Sequence, residues 1–231
     1  MKKIGLIGGL GPESTLDYYR GIIDAFKETY ERSGYPEISM ESMNLKSFMS
    51  LVESGRWDDI AEIMGMHFEV LRQGGAEIGA IASNTPHKVF TEIQKRTTLP
   101  LVSIVESTCT YAVAEGLGNL FLMGTQITME SDFYQTVFDK EGIALTVPTK
   151  DEQGYIQDKL FSEIEFGIIR EETKAAFLSI IERHRSEETI DGVIAGCTEL
   201  PLIIRQEDFT VPYLDTTAIH IAGIVETCNR P

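Results

Sequence analysis

Short apolar runs ending in Gly, Ser or Thr alternate along the chain with longer segments whose apolar residues recur at three- and four-residue intervals. That alternation predicts βαβ units built on parallel sheets. Residues 4–7 read as a buried strand and Gly8-Gly9-Leu10-Gly11 as a turn, and Pro12 suits the first turn of a helix running from 13 to 32. A second strand is expected over 38–43, and Trp57–Gln73 reads as a helix on the spacing of Ile60, Ile63, Met64, Phe68 and Leu71. Residues 78–82 and 101–104 give two further strands. The pattern then restarts, with strands over 120–123, 144–147, 192–195 and 212–214, a long helical stretch over 155–185, and a last helix to Asn229.

The restart is an internal repeat. Leu6-Ile7-Gly8-Gly9 corresponds to Leu122-Met123-Gly124-Thr125, the segment from Gly79 to Thr85 corresponds to that from Gly192 to Thr198, and Leu99-Pro100-Leu101 corresponds to Val211-Pro212-Tyr213. These landmarks keep their order and nearly constant separations. Duplicated α/β halves commonly bind ligands in a cleft at the carboxyl ends of their strands. Ser83-Asn84-Thr85 and Cys197-Thr198-Glu199 stand at two such ends, one in each half.

Charge and cysteine usage narrow the functional classes. The 231 residues carry 36 Asp and Glu against 20 Lys and Arg, a formal charge of −16, with the acids scattered along the chain. Such a surface repels phosphate backbones and anionic lipid, so neither nucleic acid nor a membrane is an expected partner. The N-terminal apolar run is broken by glycines before it resembles a signal peptide, and no window approaches a membrane span. Cys109, Cys197 and Cys228 are odd in number and widely spaced, giving neither a disulfide framework nor a metal pair. The expectation is a cytoplasmic protein with no metal.

Four segments carry candidate chemistry. The glycine loop lacks the full dinucleotide pattern, because Ser14 stands where a third glycine belongs. It reads as a tight strand-to-helix turn whose N–H groups, Gly9 included, could hold a carboxylate. Gly124-Thr125-Gln126-Ile127-Thr128 offers the equivalent place in the second half, with hydroxyls at Thr125 and Thr128. Ser83-Asn84-Thr85-Pro86-His87 is at once an N-capping turn and a set of donors, and His87 reads either as a catalytic imidazole or as an exposed helix residue. Cys197 reads as a small buried hydrophobe or as a reactive thiol. Gly196 before it and Thr198 and Glu199 after it suit a strand end entering a site. An unperturbed thiol is only about 3% thiolate at pH 7. Cys109 and Cys228 read as structural.

Taken together, S-N-T-P-H, G-C-T-E, the opening I-G-L-I-G-G, the M-G-T-Q-I-T-M segment and the closing D-T-T-A-I-H resemble the cofactor-independent aspartate/glutamate racemases over essentially the whole chain. The resemblance implies an α/β fold of two pseudo-symmetric domains, each a four-stranded parallel sheet flanked by helices, with the active site in the interdomain cleft. The corresponding division is 1–98 with 215–231, and 99–214. It also implies a homodimer, an amino-acid substrate, no cofactor, and two-base racemisation in which a thiol works on each face of the α-carbon. The first motif commonly reads C-N-T, whereas this chain has Ser83, a far weaker acid than a thiol.

Cys197 is therefore the expected main acid/base, with Ser83 opposite and aspartate or glutamate as substrate. Asn84, Thr85, Thr125 and Thr198 are expected to stabilise the enediolate-like charge, with Gly9, Thr128 and Glu199 also contacting substrate. Lys46, just past the second strand, is the nearest cation for a distal carboxylate, or else an ordinary exposed lysine. The alternatives are an isomerase or decarboxylase of a small dicarboxylic acid on the same scaffold, and a non-catalytic two-lobed carboxylate-binding protein.

Overall fold

The computed structural model describes residues 1–27, 31 and 34–230. It contains two four-stranded, wholly parallel sheets of identical strand order. In the first, β1 (Ile4–Gly8), β2 (Ile38–Ser42), β3 (Ile78–Ile81) and β4 (Leu101–Val102) are ordered β2-β1-β3-β4. In the second, β5 (Asn119–Gly124), β6 (Ala144–Thr146), β7 (Gly192–Gly196) and β8 (Tyr213–Asp215) are ordered β6-β5-β7-β8. The repeat read in the sequence is thus a repeat of topology.

The chain forms two compact units, Met1–Ser107 with Thr217–Pro231, and Thr108–Thr216. β4 pairs with β3 in the first sheet, so the 98/99 boundary anticipated from sequence falls too early. At the other end, β8 runs to Asp215 and keeps that residue in the second sheet.

In unit 1, α1 (Pro12–Ala25), α2 (Leu45–Glu53), α3 (Trp57–Gln73) and the short α4 (Phe90–Gln94) connect or follow the strands. α1 ends at Ala25, short of the expected Arg32, and residues 28–30 and 32–33 of that expected span lie outside the described residues. β1 and β3 are buried at every position, as strands covered on both faces must be. Ile4, Leu6, Ile78 and Ala80 meet Tyr18, Ile22 and Phe26 in one core cluster. α5 (Ile104–Ala114) carries the chain out of unit 1, and α10 (Thr216–Asn229) brings it back, adding Ile224 and Cys228 to this core.

Unit 2 contains α6 (Gln126–Glu130), α7 (Phe133–Phe138), α8 (Lys150–Ser162) and α9 (Glu171–Glu187). The single helical stretch expected over 155–185 is in fact the pair α8 and α9. A 3₁₀ turn, Ile164–Phe166, and Gly167 in the left-handed region at φ 71 break it. Glu163 fixes the break: its carboxylate accepts from Lys159 Nζ at 2.7 Å and from Thr173 Oγ1 at 2.6 Å, tying the end of α8 to the start of α9. The core beneath joins Phe121, Met123, Val193 and Ala195 to Ile156, Ile164, Phe177 and Cys197. No helix among the described residues is long and apolar enough to cross a membrane.

Candidate active site

Each unit presents its candidate residues at the carboxyl ends of its two central strands. In unit 1 these are the Gly8–Gly11 loop after β1 and Ser83-Asn84-Thr85 after β3. In unit 2 they are Thr125 after β5 and Cys197-Thr198-Glu199 after β7. The two strands of each pair are neighbours, so the two loops of a unit lie side by side.

The glycine loop is already occupied with its own turn. Gly9 has φ 78, and a side chain there would meet the Met43 carbonyl oxygen at 2.3 Å, so glycine is required for conformation and for space. Its N–H donates to Thr15 Oγ1 at 2.9 Å. That donor is therefore spent inside the chain.

Ser83 and Asn84 are buried, at 7% and 4% exposure, while Thr85 is half-buried. Asn84 occupies the N-cap position of a 3₁₀ turn, Thr85–Val89, with Pro86 in its first turn, but its side chain makes no capping hydrogen bond. His87 is buried rather than exposed. Its Nδ1 lies 3.0 Å from the Ser83 carbonyl oxygen, and its Nε2 lies 3.2 Å from the backbone nitrogen of Ile104. Both ring nitrogens are committed to backbone groups, so His87 does not serve as a base for the Ser83 hydroxyl. Lys46 lies exposed in the first turn of α2, whose N-cap Asn44 accepts from Ser47 N–H at 3.0 Å.

The second unit holds the stronger constellation. Gly124 and Gly196 face each other in register where β5 and β7 end, and Thr128 packs its side chain against both. Thr125 caps α6, and its hydroxyl lies 3.1 Å from that of Thr128, so these two hydroxyls first serve the loop. Beyond Gly196, the Cys197 thiol donates to Glu199 Oε2 at 3.1 Å, and Thr198 Oγ1 donates to the same oxygen at 2.8 Å. Glu199 is thus the thiol's hydrogen-bond acceptor, a relationship the sequence reading did not anticipate. Thr216 Oγ1 donates to the Ala195 carbonyl at 2.7 Å and braces the strand just before the thiol.

Burial, and after it the Glu199 charge, pushes the Cys197 thiol well above its ordinary range, with Glu165 adding to the effect. Glu165 sits in the 3₁₀ turn between α8 and α9, and its own carboxyl is raised by burial and by Glu199. No local motif marks Glu165 as a neighbour of Cys197. Only the break at Gly167, within a stretch that reads as continuous helix, could have hinted at a turn. The chemical meaning is specific: at rest the thiol is protonated and hydrogen-bonded to a carboxylate. A thiolate formed there is destabilised by its surroundings and correspondingly basic.

A family model for Asp/Glu/hydantoin racemases matches residues 7–224. The broad specificity amino-acid racemase RacX of Bacillus subtilis (strain 168) is 25% identical over 227 residues, 97% of each chain. Among solved structures, a Yersinia pestis protein assigned as an Asp/Glu racemase superposes with a TM-score of 0.92 at 31% identity, covering 100% of both chains. PH1733 of Pyrococcus horikoshii OT3, an aspartate racemase homologue, superposes with a TM-score of 0.86 at 37% identity, again over 100% of both. With this fold, this strand-end thiol and a match across nearly its full length, the chain belongs to the Asp/Glu/hydantoin racemase family.

Proposed function

We propose that the chain racemises an amino acid without a cofactor, with Cys197 exchanging the α-proton on one face and Ser83 acting on the other. The observation that carries this reading is the Cys197 thiol hydrogen-bonded to Glu199 at the carboxyl end of β7. Glu199 takes the thiol proton, the thiolate removes the substrate α-proton, and the electron pair moves into the substrate carboxylate. Ser83 then delivers a proton to the opposite face and recovers one from water, while Cys197 and Glu199 exchange theirs with solvent. The enediolate-like charge is held by Asn84, Thr85 and Thr198. Glu199 is in this reading the thiol's proton partner rather than a substrate ligand, and Thr125 and Thr128 shape the loop beside it.

Aspartate or glutamate is the proposed substrate, on the names carried by the structural relatives, with Lys46 assigned to the distal carboxylate. A broader range is a second reading. It is favoured by the carboxylates of Glu199 and Glu165 around Cys197, and by the broad specificity named for the Bacillus subtilis relative. We further propose a cytoplasmic homodimer.

The test is incubation with each enantiomer of aspartate, glutamate and a panel of neutral and basic amino acids in D₂O. The expected outcome is α-deuterium incorporation with inversion, abolished in Cys197→Ala. Absence of deuterium from every amino acid, or full activity in the variant, refutes the reading. Turnover confined to non-acidic amino acids refutes the acidic substrate alone.

A further inference from the structure

We infer that His87 is a positioning residue that holds the Ser83 main chain in register for the reaction proposed above, on which this inference rests. The ring is 3% exposed, stacks on Phe90 at 4.9 Å between centroids and meets His220 edge-on at 6.2 Å. Its protonation follows from its partners. A backbone N–H can only donate, so the Ile104 N–H makes Nε2 the acceptor, and the one ring proton sits on Nδ1, donating to the Ser83 carbonyl. Burial and the neighbouring His220 depress the His87 pKa to about 3, so this neutral tautomer persists throughout the physiological range.

The two hydrogen bonds fall where the sheet stops holding the chain. The β1–β3 register ends at the Ile7–Ile81 pair, and the Ala82 N–H makes one further bond to the Ile7 carbonyl. Past that point the Ser83 carbonyl is held by the imidazole, and the other side of the ring accepts from the N–H of Ile104, the first residue of α5. His87 therefore splices the loose end of β3 to the start of a helix. If the Nδ1 bond is lost, the Ser83 carbonyl loses this anchor, and the backbone that carries the Ser83 hydroxyl and the Asn84 N–H is held less firmly. Cys197 belongs to the other unit and its immediate hydrogen bonds are untouched.

This predicts a defect confined to one face of the substrate. The enantiomer whose proton Cys197 removes should still pick up deuterium with retention of configuration, while inversion, which needs Ser83, falls. Two variants separate the ring's two bonds. His87→Asn keeps a donor near the Nδ1 position, whereas His87→Gln places an acceptor near the Nε2 position and loses the donor to Ser83.

The experiment measures inverted against retained α-deuterated amino acid by chiral chromatography and mass spectrometry, in wild type, H87N, H87Q and S83A. Thermal unfolding of each variant is followed in parallel. The expected result is a near wild-type ratio in H87N and a ratio lowered at least about tenfold in H87Q, with S83A behaving as H87Q does. An H87Q ratio equal to wild type, even with both rates reduced in proportion, overturns the inference. So does an H87N variant that loses inversion as completely as S83A, which keeps the proposal open to refutation should H87Q fail to fold. Absence of exchange from any amino acid in wild type is distinguishable from both, because it removes the racemase reading itself.

Discussion

Gly124→Ala should damage both stability and catalysis although it adds only one methyl group. Gly124 faces Gly196 across the β5–β7 ladder, one residue before Thr125 on one strand and Cys197 on the other. A Cβ at Gly124 would lie 2.6 Å from the Gly196 carbonyl oxygen and 2.8 Å from its carbonyl carbon, where ordinary contact begins at 3.4 Å. The overlap of about 0.8 Å is with backbone, which no rotamer change can relieve, so the strand ends must separate. Overpacking of this kind costs about 1–3 kcal/mol, and a weakened last ladder bond adds about 1 kcal/mol. Because Cys197 follows Gly196 directly, a displacement approaching 1 Å should slow proton exchange by roughly 100-fold.

Gly154→Ala is the matched control: it lies in α8 with nothing within 4 Å of the added carbon, and should be stabilising by up to about 1 kcal/mol through helix propensity. Urea unfolding of both variants, analysed by linear extrapolation, together with α-deuterium exchange, decides the matter. A Gly124→Ala variant within about 0.5 kcal/mol of wild type and fully active would show that the β5–β7 approach constrains neither fold nor thiol.

Two further outcomes follow from the titrating groups. Cys197 should alkylate slowly at neutral pH, with its rate still rising above the range of an ordinary thiol. Glu199→Gln should accelerate the reaction by removing the adjacent negative charge, whereas slower alkylation in that variant, measured against Cys197→Ala as blank, would contradict the assignment of Glu199. His87 and His220 are depressed to about 3 and about 4, mainly by burial, so the unfolded chain binds more protons than the folded one below the ordinary histidine value of 6.5. The stability they support is complete above pH 6.5 and is lost as pH falls through about 4 for His220 and about 3 for His87, with a slope near pH 5 approaching that of two protons taken up on unfolding. Urea midpoints across this range should show that slope, and His220→Gln should flatten it; an unchanged slope in the variant would refute the assignment.

The central strands β1, β3, β5 and β7 were legible because doubly covered parallel strands read as nearly unbroken apolar runs. The repeat was legible because both halves need the same small residue at the same place. Gly79 opens the path of β3 past Leu101 and Phe68 as Gly192 does for β7 past Leu120 and Leu214, and a Cβ at either would lie within 2.7 Å of a neighbouring side chain. What escaped the sequence was set by contacts between distant segments. The break between α8 and α9 depends on Glu163 bridging Lys159 to Thr173. The membership of β4 depends on pairing with β3, and the closeness of Glu165 to Cys197 on a turn hidden within apparent helix periodicity.

The difference between Ser83 and Cys197 extends into the surroundings of each residue. Next to Ser83, His87 is neutral and locked between backbone groups, and His220, which meets it edge-on, accepts from Tyr18 Oη at 2.7 Å while donating to the Val102 carbonyl at 2.9 Å. Around Cys197, burial first and then the carboxylates of Glu199 and Glu165 hold the thiol protonated and make its thiolate basic. For the proposed racemisation, the two faces of the α-carbon then meet groups of very different proton affinity. Because enantiomers have equal free energy, kcat/KM must be the same in both directions however unequal the two groups are. The asymmetry can surface only in how that common value divides between kcat and KM, and in how often a proton exchanges on the Cys197 face before inversion is completed on the other.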